Sequence, residues 1–320
     1  MRAGTRSTRE SKSYSSNANV NAKTSIGLIG CGRWGSLILR DLEILDCDVH
    51  VVARSPESVA RAAAGGASSI HSSVSGMFHE KPLDGIVVSV TAGQHHQVVM
   101  DVLRLFGSSL PIFCEKPLAT SVQDAVEMAW AAKRLFVMDK WRYHPAIRRM
   151  SLARATGEFG KLINLDTRRI QPENPHPDVA PAWTYLPHDL SIVLEILGSL
   201  PPATVATSSY DGEIVLAVLG DNPWVDIECS VRASRKYREV TARFEYGVLS
   251  MTDPLASTLK LQLLDGLVCE LKVPGEMPLL AELRAFTGYL RGGDAPRSSA
   301  ADGARVVRVV QDILSLAGTS

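Results

Sequence analysis

Residues 111–121 read PIFCEKPLATS, and their chemistry is concentrated in Glu115, Lys116 and Pro117. Pro111 to Cys114 has the apolar character of a buried strand. A carboxylate and an ammonium stand at its mouth, and a proline stops its continuation. A solvated turn accounts for such charges. So does a catalytic lysine held by a rigid bend, because burial lowers an ammonium's pKa toward the range of proton transfer. A second constellation, GLIGCGRWGS, spaces glycines at 30, 32 and 35 between an apolar run and an amphipathic one. Gly30 permits a tight turn, Gly32 lets the backbone approach a pyrophosphate, and Gly35 lets helix and strand pack closely. The N–H groups of the helix start, from Arg33 and Trp34 onward, would hold the anion. The alternative is a glycine turn with no ligand.

The next apolar run, CDVHVVA, ends in Arg54 and Ser55 with no acid before Glu57. An NAD-binding unit carries Asp or Glu near this point to bind the ribose hydroxyls. A carboxylate would repel a 2′-phosphate, whereas a guanidinium forks onto it. Arg54 and Ser55 therefore favour NADP(H) over NAD(H), the alternative being a surface arginine that opens a helix.

These groups need elements to position them. From Ser25 to about Lys140, strand-like and helix-like segments alternate. SIGLIG, CDVHVVA, DGIVVSV, PIFC and LFVMD read as strands buried on both faces. Helical spacing follows the first (Trp34, Leu37, Ile38, Leu42, Leu45), Pro56 opens another helix, and further helices fall near 95–106 and 121–134. The pattern predicts an α/β Rossmann unit, a doubly wound parallel sheet, over 25–142. After it, a helix at about 145–156, the alternating KLINLDTRRI, a Pro-rich loop and the helix HDLSIVLEILG precede seven strand-like runs between 203 and 272. Turn signals separate these runs and suggest an antiparallel meander. Helices at about 279–291 and 300–317 close the chain. Residues 143–320 are thus expected to form an α+β domain with a large, mostly antiparallel open sheet, used for substrate and for oligomerisation.

The glycine fingerprint, EKP at a strand end, and LPHDLSIVLEILG opening a helix together resemble the Gfo/Idh/MocA family, named for glucose–fructose oxidoreductase, inositol dehydrogenase and a rhizopine-catabolism protein. VSVTAGQHH, WRYHPAI and GEFGKL are similar to further landmarks of the family, in order, so the resemblance covers about 25–320. It implies an oxidoreductase moving hydride between a nicotinamide and the carbonyl or hydroxyl of a sugar-like or cyclitol-like substrate, and a homodimer or homotetramer built through the second sheet. It implies that Lys116 stabilises the substrate oxygen, that His188 relays the proton over the nicotinamide face, and that the Lys116–Pro117 bond can be cis. Pro187 and the apolar run after it put His188 at a helix start, with Asp189 capping that helix or orienting the imidazole. Glu115, Thr91, His96 and Arg142 join the expected cofactor set; Arg168, Asp178, Trp183 and Thr184 the expected substrate set. His96 could equally cap a helix and Arg142 make an inter-domain ion pair.

One departure matters. Many family members carry Asp four residues before this histidine, where Thr184 stands. Either Lys116 and His188 suffice, or Asp178 substitutes, or turnover is lost, leaving a non-catalytic protein that senses dinucleotide or sugar. Relatives that use NAD transiently to cleave glycosides are a further rival, against which Arg54 speaks.

Composition bounds the rest. Lys+Arg and Asp+Glu are both 34 in 320 residues, so no global field favours nucleic acid or an anionic membrane. No run is apolar and long enough to span a bilayer. Five scattered cysteines, without zinc spacing, fit free thiols in a reducing, cytoplasmic setting and no metal site. Residues 1–24 are Ser-, Asn- and Arg-rich and read as a disordered tail or as a start placed too early; they loosely fit a transit peptide but are no secretory signal.

Overall fold

A computed structural model describes residues 23–79, 82–176 and 178–319. The expected tail therefore lies almost wholly outside the described residues; Thr24 already belongs to the first strand.

The elements run β1 (Thr24–Ile29), α1 (Arg33–Ile44), β2 (Cys47–Val52), α2 (Pro56–Ala64), β3 (Ser69–His71), α3 (Val74–Phe78), β4 (Gly85–Val88), α4 (His95–Phe106), β5 (Ile112–Glu115), α5 (Val122–Ala131) and β6 (Leu135–Met138). The six strands pair in parallel in the order β3-β2-β1-β4-β5-β6, the doubly wound arrangement. Its strands are apolar on both sides because both faces are covered. Ile38, Leu39 and Leu42 of α1 pack on one face; Val99 and Val102 of α4 and Met128 of α5 pack on the other. The short β3 carries no periodicity that announced it.

There follow α6 (Pro145–Thr156), β7 (Leu162–Ile170), α7 (Pro181–Leu197), β8 (Ala203–Ser208), β9 (Ile214–Leu219), β10 (Trp224–Ser230), β11 (Tyr237–Phe244), β12 (Gly247–Met251), β13 (Thr258–Leu263), β14 (Val268–Lys272), α8 (Pro278–Leu290) and α9 (Ala300–Leu316). The eight strands order as β14-β13-β12-β11-β7-β10-β9-β8. The meander expectation needs one correction: β10 lies parallel to β7. A parallel pair needs a crossover, and the chain supplies one through α7, β8 and β9. The remaining pairs are antiparallel. One face of this sheet is buried under α6, α7 and α9 through residues such as Met150, Leu190, Val193 and Val310. The other face exposes Val205, Leu216 and Trp224.

The last two helices tie the layers together. Phe286 of α8 stacks on Phe113 of β5 with ring centroids 4.9 Å apart. In α9, Ser299 and Asp302 form a capping box, Val307 packs with the first sheet, and Val306, Val310 and Ile313 pack with the second. The apolar face of α9 is buried through Leu314, while Leu316 lies half exposed.

Candidate active site

The glycine turn follows β1. Gly30 has φ +96°, and a Cβ there would sit 2.3 Å from the Ser89 carbonyl oxygen. A Cβ on Gly35 would lie 2.3 Å from the Gly30 carbonyl oxygen. Both positions are closed to side chains by backbone. Gly32 differs, because a Cβ there would meet nothing within 4 Å. It faces a cavity of about 1090 Å³ that Arg33, Trp34, Arg54, Ser55 and Thr91 also line. Gly32 is the N-cap of α1 and no side chain caps that helix, so the first-turn N–H groups are left for an anion. At the end of β2, Ser55 accepts from Ser58 N (3.2 Å) and starts α2. Arg54 is exposed and makes no ion pair among the described residues. This donor set and open cradle fit a dinucleotide diphosphate.

β5 delivers Glu115 and Lys116 to the same cavity, and the Lys116–Pro117 bond is cis. Glu115 accepts from the Trp34 indole N–H and from Lys116 N (3.1 Å), which ties the strand end to α1. The carbonyl of Pro117 bonds the buried ring of His95 (2.7 Å). Lys116 Nζ donates to the Thr184 carbonyl oxygen at 3.2 Å, bridging from the first sheet to α7. Burial pushes the Lys116 ammonium down from its ordinary 10.5 to about 8, aided by Lys140 and Arg169 and opposed by Glu115. Lys140 Nζ sits 4.4 Å above the Trp34 ring.

His188 lines this cavity too, and its ring meets the Trp141 indole edge-on at 6.5 Å. Burial, and then the charges of Lys116, Arg169, Lys140 and Arg238, hold it well below the usual histidine pKa. It is therefore a neutral imidazole near neutral pH. Lys116 and His188 come from chain segments 72 residues apart and meet in one cavity between the two sheets.

Several sequence expectations are redirected. α7 begins at Pro181 rather than beside His188, and Pro187 lies inside it. Proline removes one N–H, but the buried apolar surface of α7 carries the helix past it. Asp189 neither caps nor faces the imidazole; it grips Arg169 through two bonds, 2.8 and 3.1 Å. Thr184 donates to Asn174 Oδ1 (2.9 Å), while Asp178 and Trp183 line the cavity, Asp178 exposed on its rim. Three expected residues lie elsewhere. His96 turns outward to Glu127 (3.0 Å), because the 100° step of α4 gives the inward position to His95. Arg142 is consumed by Glu195 (3.1 Å), Ser298 (3.1 Å) and Asp302 (3.4 Å). Arg168 is exposed on β7, 3.5 Å from Glu228, on the opposite face from Arg169.

The cavity also holds groups that spacing did not announce: Lys140, Lys236, Arg238 and Glu282. Glu282 of α8 is 1% exposed, has no partner for either oxygen among the described residues, and is pushed well above the carboxylate range by burial and by Glu115. Only the return of α8 to the first sheet brings it here.

Residues 24–138 match the family model described as oxidoreductase family, NAD-binding Rossmann fold. The chain is 25% identical over 265 residues to inositol 2-dehydrogenase 2 of Saccharopolyspora erythraea, covering 76% of this chain and 77% of that one. It is similar in fold to an oxidoreductase from Agrobacterium radiobacter in complex with NAD+, L-tartaric acid and magnesium (TM-score 0.80, 15% identity, 93% and 97% of the two chains). It is equally similar to a levoglucosan dehydrogenase in complex with NADH (TM-score 0.80, 15% identity, 93% and 97%). At these identities the structural likenesses establish the architecture. No helix among the described residues is long and apolar enough to cross a membrane.

Proposed function

We propose that this chain, whose residues 24–138 are the NAD-binding Rossmann fold of the Gfo/Idh/MocA oxidoreductases, is an NADP(H)-dependent oxidoreductase acting on the carbonyl or hydroxyl of a sugar-like or cyclitol-like substrate. The observation that carries the reading is the meeting of an ammonium tuned to about 8 with a neutral imidazole in a cavity headed by an open glycine cradle. When bound, the nicotinamide supplies or accepts the hydride at the substrate carbon. Gly32 and the first turn of α1 hold the diphosphate. Arg54, with no acid beside it, receives the 2′-phosphate and sets the preference for NADP(H).

Lys116 donates a hydrogen bond to the substrate oxygen as negative charge develops there, and gives up its proton to complete reduction. In the reverse direction it takes the proton. A pKa near the working pH suits both tasks. His188, kept neutral first by burial and then by its cationic neighbours, orients the substrate hydroxyl and relays the proton onward. Thr184 does not replace a carboxylate; its carbonyl fixes the Lys116 ammonium. The exposed apolar face of the second sheet is the surface for a homodimer or homotetramer.

The test follows NADPH absorbance with a panel of keto sugars and keto cyclitols. Oxidation of the cofactor that Lys116→Met abolishes is the expected outcome. Tight NADPH binding with no turnover on any substrate would convert the reading to that of a dinucleotide sensor.

A further inference from the structure

Arg238 stands on β11 directly opposite Arg169 of β7. The two guanidiniums lie over the Trp141 indole, with carbons 5.9 Å and 5.0 Å from the ring centroid. Their electrostatic situations differ. Arg169 is satisfied by Asp189. Arg238 makes no ion pair among the described residues, and its Nε is buried without a hydrogen-bond partner. Burial and the charge of Arg169 bring it down from 12.5 to about 10. A guanidinium placed so is costly unless an anion reaches it.

Among the described residues, no carboxylate lining the cavity makes an ion pair with Arg238. Asp189 is spent on Arg169, Glu115 is held by Trp34, Asp101 is held by Gln97 and Arg104, and burial drives Glu282 toward its neutral form. Glu173 and Asp178 stand exposed on the rim. Meanwhile Lys236, just before the start of β11, lines the cavity together with Lys116 and Lys140. Arg238 and Lys236 reach the cavity from β11 and the segment leading into it, whereas Lys116 and Lys140 follow β5 and β6 of the first sheet.

We infer that the substrate carries an anionic group, a carboxylate or a phosphate, that docks on the Arg238 guanidinium, so that this chain acts on acidic sugars or cyclitols in preference to neutral ones. The fork of an arginine matches either anion with two parallel N–H donors. An incoming anion would also offset the cations that surround His188. The inference rests on the oxidoreductase reading above and names the substrate class for the same site.

Its test compares matched probes: glucose, glucuronate and a hexose monophosphate, each with NADP(H) in the appropriate direction, on wild type, Arg238→Met and Arg238→Lys. In wild type, one of the anionic probes is expected to exceed the neutral one in kcat/KM by about 10-fold or more. Which of the two wins separates carboxylate from phosphate. In Arg238→Met that ratio collapses toward unity, and Arg238→Lys restores part of it because charge returns without the fork. Binding is read in parallel as the rise in melting temperature on adding each probe to the NADPH complex. A wild-type protein that turns over the neutral probe as well as the anionic ones overturns this inference and leaves the oxidoreductase reading intact. Absence of turnover on every probe counts against the oxidoreductase reading. The melting shifts then decide the inference alone: an Arg238-dependent shift with an anionic probe supports it, and equal shifts in wild type and Arg238→Met refute it.

Discussion

Replacing Lys116 by methionine removes a charge that folding holds in an unfavourable place. The ammonium falls from 10.5 in water to about 8 in the protein, with burial the largest cause. A fall from 10.5 to about 8 corresponds to about 3 kcal/mol. Part of the side chain remains open to the cavity, and the Thr184 carbonyl loses its donor, so about 2 kcal/mol is the expected gain in stability. The sign follows from proton counting. Below about pH 8 both folded and unfolded states hold the proton and the full penalty applies. Between about 8 and 10.5 only the unfolded chain retains it, so wild-type stability rises with pH across that window relative to the variant. Urea unfolding of wild type and Lys116→Met at neutral pH and at about pH 10 measures both quantities. The variant is expected to be more stable at neutral pH, with the gap closing at high pH, and to lose about 1000-fold in turnover. A variant that is less stable than wild type at neutral pH, by a margin independent of pH, would refute the claim that burial tunes this lysine.

Four further substitutions test the surrounding framework. Arg54→Ala should raise KM for NADPH by about 10- to 100-fold and leave KM for NADH nearly as it was, read from steady-state kinetics with both cofactors. Gly32→Ala should fold with wild-type stability, since nothing lies within 4 Å of its Cβ, yet lose dinucleotide affinity as measured by quenching of intrinsic fluorescence. Gly30→Ala should instead cost about 2 kcal/mol or more in denaturant unfolding, because of its φ of +96° and the Ser89 carbonyl. Arg169→Met strands the buried Asp189 carboxylate and should destabilise the protein by about 3–5 kcal/mol in the same measurement.

The legible parts of the protein are those set by local sequence. Strands apolar on both faces, a helix after a glycine turn and a strand ending in Glu115-Lys116-Pro117 announce a doubly wound sheet, because short-range sterics and burial period act within a few residues. The same holds for Arg54 and Ser55, whose place at a strand end follows from counting along β2. Misreadings arose where packing overruled local chemistry. Pro187 looked like a helix start, but the buried face of α7 carries the helix through it. His95 and His96 are adjacent, and only the phase of α4 against the sheet decides which one enters. Arg168 carried the right charge, yet Glu228 of another strand claimed it, while Arg142 makes the ion pair that its sequence context equally allowed.

Composition and spacing alone thus determined that a dinucleotide-type turn and a lysine at a strand mouth exist, since each is written in consecutive residues. What surrounds that lysine was settled only by the folded chain. α7 brings His188 and the Thr184 carbonyl, α8 returns to deliver Glu282, and β11 sets Arg238 beside Arg169. Those placements depend on which faces bury against which, a long-range balance of apolar contact and charge desolvation that no stretch of sequence encodes by itself.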